Sequence, residues 1–247
     1  MAKSSGVAGG FYVGGYDLSG DVGAVENAGS PRATQDVTGI GQSAMDRLLM
    51  PSSGEIAFKS FFNDAALQEH VILGALPTTD THVMYAKGQA ADDVCAMLVA
   101  KQINYDASRN ADGSLEFAIT ASSTSGVPLE WGVLLTAGLI THSSAVSNSD
   151  KDDGASSSNG LSAYIQMVDI SSGTPTVKIE DSTNGSSWAD LVSFSAVANG
   201  NEPSFERVTV SGTVNRYLRI TSTGTFSNAK FIIGYRRGES TDDVAYT

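Results

Sequence analysis

Short alternating segments, each about one β-strand long and bounded by turn residues, recur along almost the whole of this 247-residue chain. They are clearest after Leu161, over 164–170, 176–180, 191–194, 206–210, 217–221 and 229–235, with turns such as Thr183-Asn184-Gly185 and Ala198-Asn199-Gly200 between them. Successive side chains of a strand point to opposite faces, so this alternation predicts sheets buried on one side. Strands this short at this spacing fold as an antiparallel sandwich. The 26 glycines supply the turns. Upstream, strand-like runs occupy 11–18, 35–41, 55–62, 81–85, 93–105, 114–121 and 128–138, the last carrying Trp131. The polar stretch 106–113 ends in Asp112-Gly113 and predicts a hairpin.

One helix is predicted, over 63–76. Asn63 or Asp64 can accept the orphan N–H groups of a first turn, and Pro77 closes the segment. Ala66, Leu67, His70, Val71 and Gly74 then share one face. Composition changes sharply over 143–160, where Ser, Asn, Asp and Gly displace apolar residues, as in a linker. Asp150, Asp152 and Asp153 lie there, but no glutamate closes a calcium loop and they read as solvated. The chain is therefore expected to be all-β: an N-terminal domain (1–142) with one packed helix, a linker (143–160), and a C-terminal β-sandwich (161–247).

Several function classes lack their residues. His70, His82 and His142 have no metal-ligand spacing, His70 reading as a core-edge residue, and no nucleophile elbow, P-loop or zinc-protease motif occurs. The early glycines (6–15) precede a strand instead of opening a helix, so they read as a flexible arm and not as a phosphate cradle. Asp92-Asp93 and Asp242-Asp243 are adjacent pairs that would face apart on a strand. The lone Cys95, in an apolar run, reads as a buried inert thiol. Net charge is −12, with −8 in residues 1–140 and −4 in 141–247, against tight binding of nucleic-acid phosphates. Arg216, Arg219, Arg236 and Arg237 form the one basic cluster, suited to a solvated sheet edge or a partner's acidic patch. The start shows no secretion signal and no run is long enough to span a membrane, so a soluble, cytoplasmically made protein is expected, with no cofactor, no metal and no enzymatic role. The tail over 238–247 reads as polar and disordered.

One segment has no ordinary explanation. Loops are usually polar, yet 42–53 carries Met45, Leu48, Leu49 and Met50 beside Asp46 and Arg47. Exposed, these four apolar residues need a covering partner; the alternative is a short helix tucked onto its own domain.

The order of parts over 14–64 resembles the tail tube (major tail) proteins of bacteriophages with long non-contractile tails. The residues that carry the resemblance are Tyr16, Asp17, Leu18, Ser19 and Gly20, then Asp36, Thr38 and Gly41, a long loop, and finally Phe62, Asn63 and Asp64. It extends over roughly residues 1–140. It implies a twisted sandwich or barrel with a packed helix, and hexameric rings of the protein stacked into a hollow tube that passes DNA. Its implied partners are the protein itself, a tape measure protein and tail-end proteins, in a virion assembled in the host cytoplasm. Residues 45–50 would then form contacts between subunits or rings, and Asp93, Asp106, Asp112 and Glu116 become candidates for an acidic lumen that repels DNA. The stretches 177–191 and 216–224 resemble small jelly-roll modules of the galactose-binding kind, which would decorate the outside of the tube. Trp188 and Tyr217 are the candidate glycan contacts there, although Trp188 also fits a core edge. Two other readings are a free carbohydrate-binding or adhesion protein, and another virion part such as a decoration or baseplate protein.

Overall fold

A computed structural model describes residues 9–239. The expected arm before residue 9 and the polar tail from residue 240, with Asp242 and Asp243, lie outside the described residues. The fold is all-β and antiparallel. In chain order the N-terminal part comprises β1 (Gly10–Val13), β2 (Tyr16–Asp17), β3 (Val22–Gly29), β4 (Arg32–Asp36), β5 (Arg47–Ser52), β6 (Glu55–Phe61) and α1 (Glu69–Leu73). Next come β7 (Thr81–Ala86), β8 (Val94–Arg109), β9 (Leu115–Ser123), β10 (Glu130–Leu134), β11 (Ile140–His142), β12 (Val146–Ser147) and β13 (Lys151–Asp152). The chain ends with β14 (Leu161–Gly173), β15 (Thr176–Ser182), β16 (Ala189–Ser193), β17 (Ser204–Val210), β18 (Tyr217–Thr223) and β19 (Phe226–Arg237).

Two long strands organise the molecule. The first half of β8 pairs with β7 and β10, and its second half pairs with β9, which continues through β6 to β3. Residues 95–100 therefore bury both faces, Ala96, Leu98 and Ala100 into one core and Cys95, Met97 and Val99 into another. Such double burial explains why this run reads as continuously apolar. Burial pushes the Cys95 thiol up to about 12, in keeping with the inert thiol expected there. The other long strand, β19, lies between β14 and the pair β10 and β11.

The path β17-β14-β19-β10-β8-β7-β1-β2 curls until its ends meet. Gly14 and Gly15 (φ +61° and +88°) form the two-residue turn between β1 and β2, which replaces the single strand expected over 11–18. A type I′ hairpin turn needs positive φ at both central positions, and Gly-Gly meets that need without strain. The Gly15 N–H donates to Gln166 Oε1 on β14 at 2.6 Å. A Cβ on Gly15 would lie 2.7 Å from the Ser204 nitrogen of β17. The enclosed space holds Tyr12, Met84, Met97, Leu134, Tyr164 and Ile232, contributed by both halves of the chain. Behind it, β14 and β19 pack on β15, β16 and β18 around Ile165, Ile179, Ile220 and Phe231 to form the expected sandwich.

Two expectations are corrected. The helix runs only Glu69–Leu73, because Leu67 takes φ +63° and Asn63 Oδ1 accepts from the Ala65 N–H, closing a turn instead of capping a helix. Its buried side chains are Glu69 and Leu73, and the predicted face leaves Leu67 and Val71 exposed. His70 is a partly buried core-edge residue, its Nδ1 2.9 Å from the Tyr105 hydroxyl. The segment 143–160 is no linker. Its β12 and β13 pair with β18, and Ser157 bridges Val214. Charge explains the order: Asp152 binds Arg216 through two oxygens at 2.6 and 2.5 Å, and Asp153 accepts from Arg237 Nε at 2.6 Å and the Tyr235 hydroxyl at 2.7 Å. The Arg216 guanidinium holds the Asp152 carboxyl down at about 2.

The space between the halves is partly polar. Glu130, 1% exposed, accepts from Ser162 Oγ (2.8 Å), from the Tyr164 hydroxyl, and from Arg207 Nε (2.8 Å). Beside it, His82 packs on Tyr164 and Phe205, and its Nδ1 has no hydrogen-bond partner. Burial, with Arg207 nearby, lowers His82 to about 4. The folded protein thus binds this proton more weakly than the unfolded chain, and stability present above the unfolded value near 6.5 is lost as pH falls towards 4. Burial lowers His142 in the same direction. Acidification from pH 7 to 4 is expected to remove about 3 kcal/mol through His82. Thermal melts of the parent and His82→Phe across that range check this: the variant should lose less.

Candidate functional site

Residues 31–51 are all exposed. They form an insertion between β3 and β6, made of β4, β5 and the tip that joins them. The strands pair as Thr34↔Leu49, Gln35↔Leu48 and Asp36↔Arg47, making a separate two-stranded sheet. The base is tied down by Ser53 N–H to Pro31 O (2.9 Å) and Ser123 N–H to Gly54 O (2.8 Å). The tip is closed by its own polar groups. Asp36 Oδ1 accepts from the Thr38 N–H (2.9 Å) and hydroxyl (2.5 Å), which lowers the Asp36 carboxyl, while Thr38 Oγ1 accepts from Asp46 N–H (2.8 Å).

This arm is an ordered ribbon with apolar residues on it. Met45 (69% exposed), Leu48 (56%), Leu49 (62%) and Met50 (39%) are joined by Val37 and Ile40, which the sequence reading did not single out. The alternative of a short helix tucked onto its own domain does not occur. Arg47 contacts Met45 Sδ at 3.2 Å, and neither it nor Arg32 has a carboxylate partner among the described residues. A two-stranded hairpin alone is marginally stable in water, and a cluster of large exposed apolar side chains marks an interaction surface.

The second surface is the sheet β3-β6-β9-β8 that carries the arm. Burial alternates along β6 and β9, with Ile56, Phe58, Phe117, Ile119 and Ala121 facing the core. The opposite face presents Glu55, Ala57 and Lys59 of β6 and Glu116, Ala118, Thr120 and Ser122 of β9, none of them buried. Register adds Asn104, Asp106 and Ser108 of β8 to that face. Glu26 of β3 pairs with Lys59 at 2.8 Å and Lys101 of β8 with Asp80 at 2.5 Å. This uncovered face carries four acids (Glu26, Glu55, Asp106, Glu116) and two lysines. Both margins of the sheet are open among the described residues: β3 pairs only with β6, and β8 beyond Gln102 pairs only with β9.

The four acids singled out from sequence are not together. Asp106 and Glu116 lie on the uncovered face, one on each of two paired strands. Asp112 lies at the β8–β9 hairpin tip, where the Ser114 N–H (2.9 Å) and hydroxyl (2.7 Å) lower its carboxyl. Asp93 is at the far end of β8, accepting from Ala90 N–H at 2.8 Å. Glu26 and Glu55 were missed because the face to which β3 and β6 turn them depends on pairing and bulges.

Trp188 immediately precedes β16 and Tyr217 opens β18, each beside a fixed guanidinium. Arg219 stands 4.3 Å from the Trp188 ring and donates to Glu180 at 2.6 Å; Arg216 stands 5.0 Å from the Tyr217 ring. Trp188 is half-buried, as a core-edge residue would be. The basic cluster thus finds acids within its own chain, with Arg216, Arg219 and Arg237 each paired.

No protein-family model matches the chain. No curated protein matches it either. Among solved structures, it is similar to the SPP1 Dit (gp 19.1) protein, described as a paradigm of the hub adsorption apparatus in phages infecting Gram-positive hosts. That match has 10% identity and a TM-score of 0.34 over 93% of this chain and 98% of the other. It is also similar to a chain in the tail of an empty GTA particle determined with C6 symmetry, at 14% identity and a TM-score of 0.37, over 53% of this chain and 98% of that one.

Proposed function

We propose that this protein is a structural component of a phage tail that assembles through its sheet margins and its arm into stacked rings enclosing a channel. The observation that carries this reading is the four-stranded sheet with two open margins and one uncovered polar face. An unpaired strand margin is a template for another strand, and closing a sheet into a barrel removes both margins together. Pairing β3 of one copy with the second half of β8 in the next is head-to-tail, and such contacts generate closed rings. The cores of each copy then lie outside the ring, and the uncovered face lines its channel.

Each copy turns four acids and two lysines towards that channel. A net negative wall repels DNA phosphates, so a passing duplex finds no clustered cations on which to stall. Six copies per ring and stacking into a tube are carried over from the sequence resemblance. Asp106 and Glu116 are the proposed lumen acids of that original set. The sheet of β15, β16 and β18 faces outward, with Trp188 and Tyr217 as its candidate glycan contacts, beside whose rings Arg219 and Arg216 already stand.

Negative-stain electron microscopy of the concentrated protein tests the proposal. Hollow filaments of regular axial repeat are expected, and Leu48→Asp/Leu49→Asp should abolish them while leaving the melting temperature of the isolated chain unchanged. A chain that stays monomeric at all concentrations and binds sugars saturably is instead an adhesion protein.

A further inference from the structure

The arm is a surplus of apolar surface, and elsewhere the chain shows a matching deficit. A cleft of about 270 Å³ opens beneath α1, where the helix fails to fill the N-terminal core. Phe58, Val71, Leu73, Val83, Ile119 and Phe205 line it. Well-packed interiors leave few voids larger than a water molecule, and an apolar cavity of only about 150 Å³ is enough to take a benzene-sized group. Gln102 reaches the same cleft. Its Nε2 donates to Leu73 O at 2.9 Å, whereas its buried Oε1 has no hydrogen-bond partner. A group entering the cleft is thus offered largely apolar walls, the polar side chains of Thr79, Asp80 and Thr81, and one unused acceptor. Val71 stands at the lip, 51% exposed.

We infer that the cleft beneath α1 is the receptor for the β4–β5 arm of a second copy of this chain, with Leu49 entering it. This deepens the assembly reading proposed above and rests on it. Three features select a second copy as the occupant. The arm displays 21 consecutive exposed residues (31–51), about the 20–30 residues per side of a stable protein interface. Its two strands pair only with each other, so each keeps a free margin open to a second chain. Donor and receptor are different surfaces, and each chain has one of each. The contact is therefore heterologous and repeats from copy to copy without exhausting either surface.

Site-directed disulfide formation tests the inference. Two differently tagged full-length chains, one bearing Leu49→Cys and the other Val71→Cys, are mixed at high concentration and oxidised. Both positions are exposed, so neither substitution disturbs folding, and the native Cys95 is fully buried and silent. A mixed disulfide is expected at least tenfold more abundantly than with a control chain carrying Val146→Cys, which is comparably exposed on another part of the surface. Equal yields with the two chains would overturn the inference, as would no disulfide at all. So would a Leu49→Cys/Val71→Cys chain that bridges to itself at high dilution. Microscopy of the same samples separates the two ideas. Filaments without the Leu49–Val71 bridge refute the receptor and keep the tube, whereas bridged chains that form no hollow assembly keep the receptor and refute the tube.

Discussion

Removal of residues 150–247 is expected to leave an insoluble remnant instead of an assembling N-terminal domain. The reading of 161–247 as a separable module predicts the opposite, and the sheet order decides between them. Strand β10 pairs with β19 through Val133↔Tyr235 and Leu134↔Gly234, so truncation strips one side of β10. It also removes Tyr164 and Ile232 from the core that buries Tyr12, Met84, Met97 and Leu134. Burying each large apolar side chain is worth about 1.5–3 kcal/mol. Four of them together approach about 6–12 kcal/mol as an upper figure, comparable with the roughly 5–15 kcal/mol that holds a whole domain folded. Soluble yield, circular dichroism and thermal melting of the truncated chain check this. A soluble remnant with a cooperative melt would show that the halves are independent.

The substitution with the largest expected effect is Glu130→Ala. It leaves the Arg207 guanidinium, whose side chain is 8% exposed, without its carboxylate, and it strands the hydroxyls of Ser162 and Tyr164. Breaking a buried ion pair from one side costs about 3–5 kcal/mol, because the surviving charge stays desolvated. In a chain of this size each kcal/mol moves the melting temperature by about 2–4 °C, so a fall of roughly 6–20 °C is expected. Glu130→Leu combined with Arg207→Met should recover much of that loss, since replacing both charges leaves nothing unpaired. Differential scanning calorimetry of the three proteins separates these cases. An additive double variant would show that the pair contributes no coupling.

Much of the fold was legible because strand signals are local. Each strand expected after Leu161 appears within a few residues of its place, since alternation and turn residues act over short distances. The arm's apolar residues were legible for the same reason: Met45, Leu48, Leu49 and Met50 in a glycine-rich stretch contradict the rule that loops are polar. What failed was everything set by pairing at long range. The segment 143–160 has the composition of a linker, and only the distant Arg216 and Arg237 turn Asp152 and Asp153 into fixed partners. The helix over 63–76 followed an apolar spacing that the left-handed turn at Leu67 interrupts. Nor could Asp93 be told from Asp106 by sequence, since both lie at or on one long strand and only the sheet's other members decide which end is covered.

The position of β19 has a mechanical consequence. This strand is bonded to β14 along one margin and to β10 and β11 along the other, and its side chains alternate between the sandwich core (Phe231, Ile233, Tyr235) and the core shared by both halves (Ile232). A pull directed along that strand loads its antiparallel backbone bonds together in shear, whereas a hinge of flexible residues would pass no load until stretched taut. Force applied along β19 therefore reaches β10 and β8 with little slack, and the two halves of the chain move as one body.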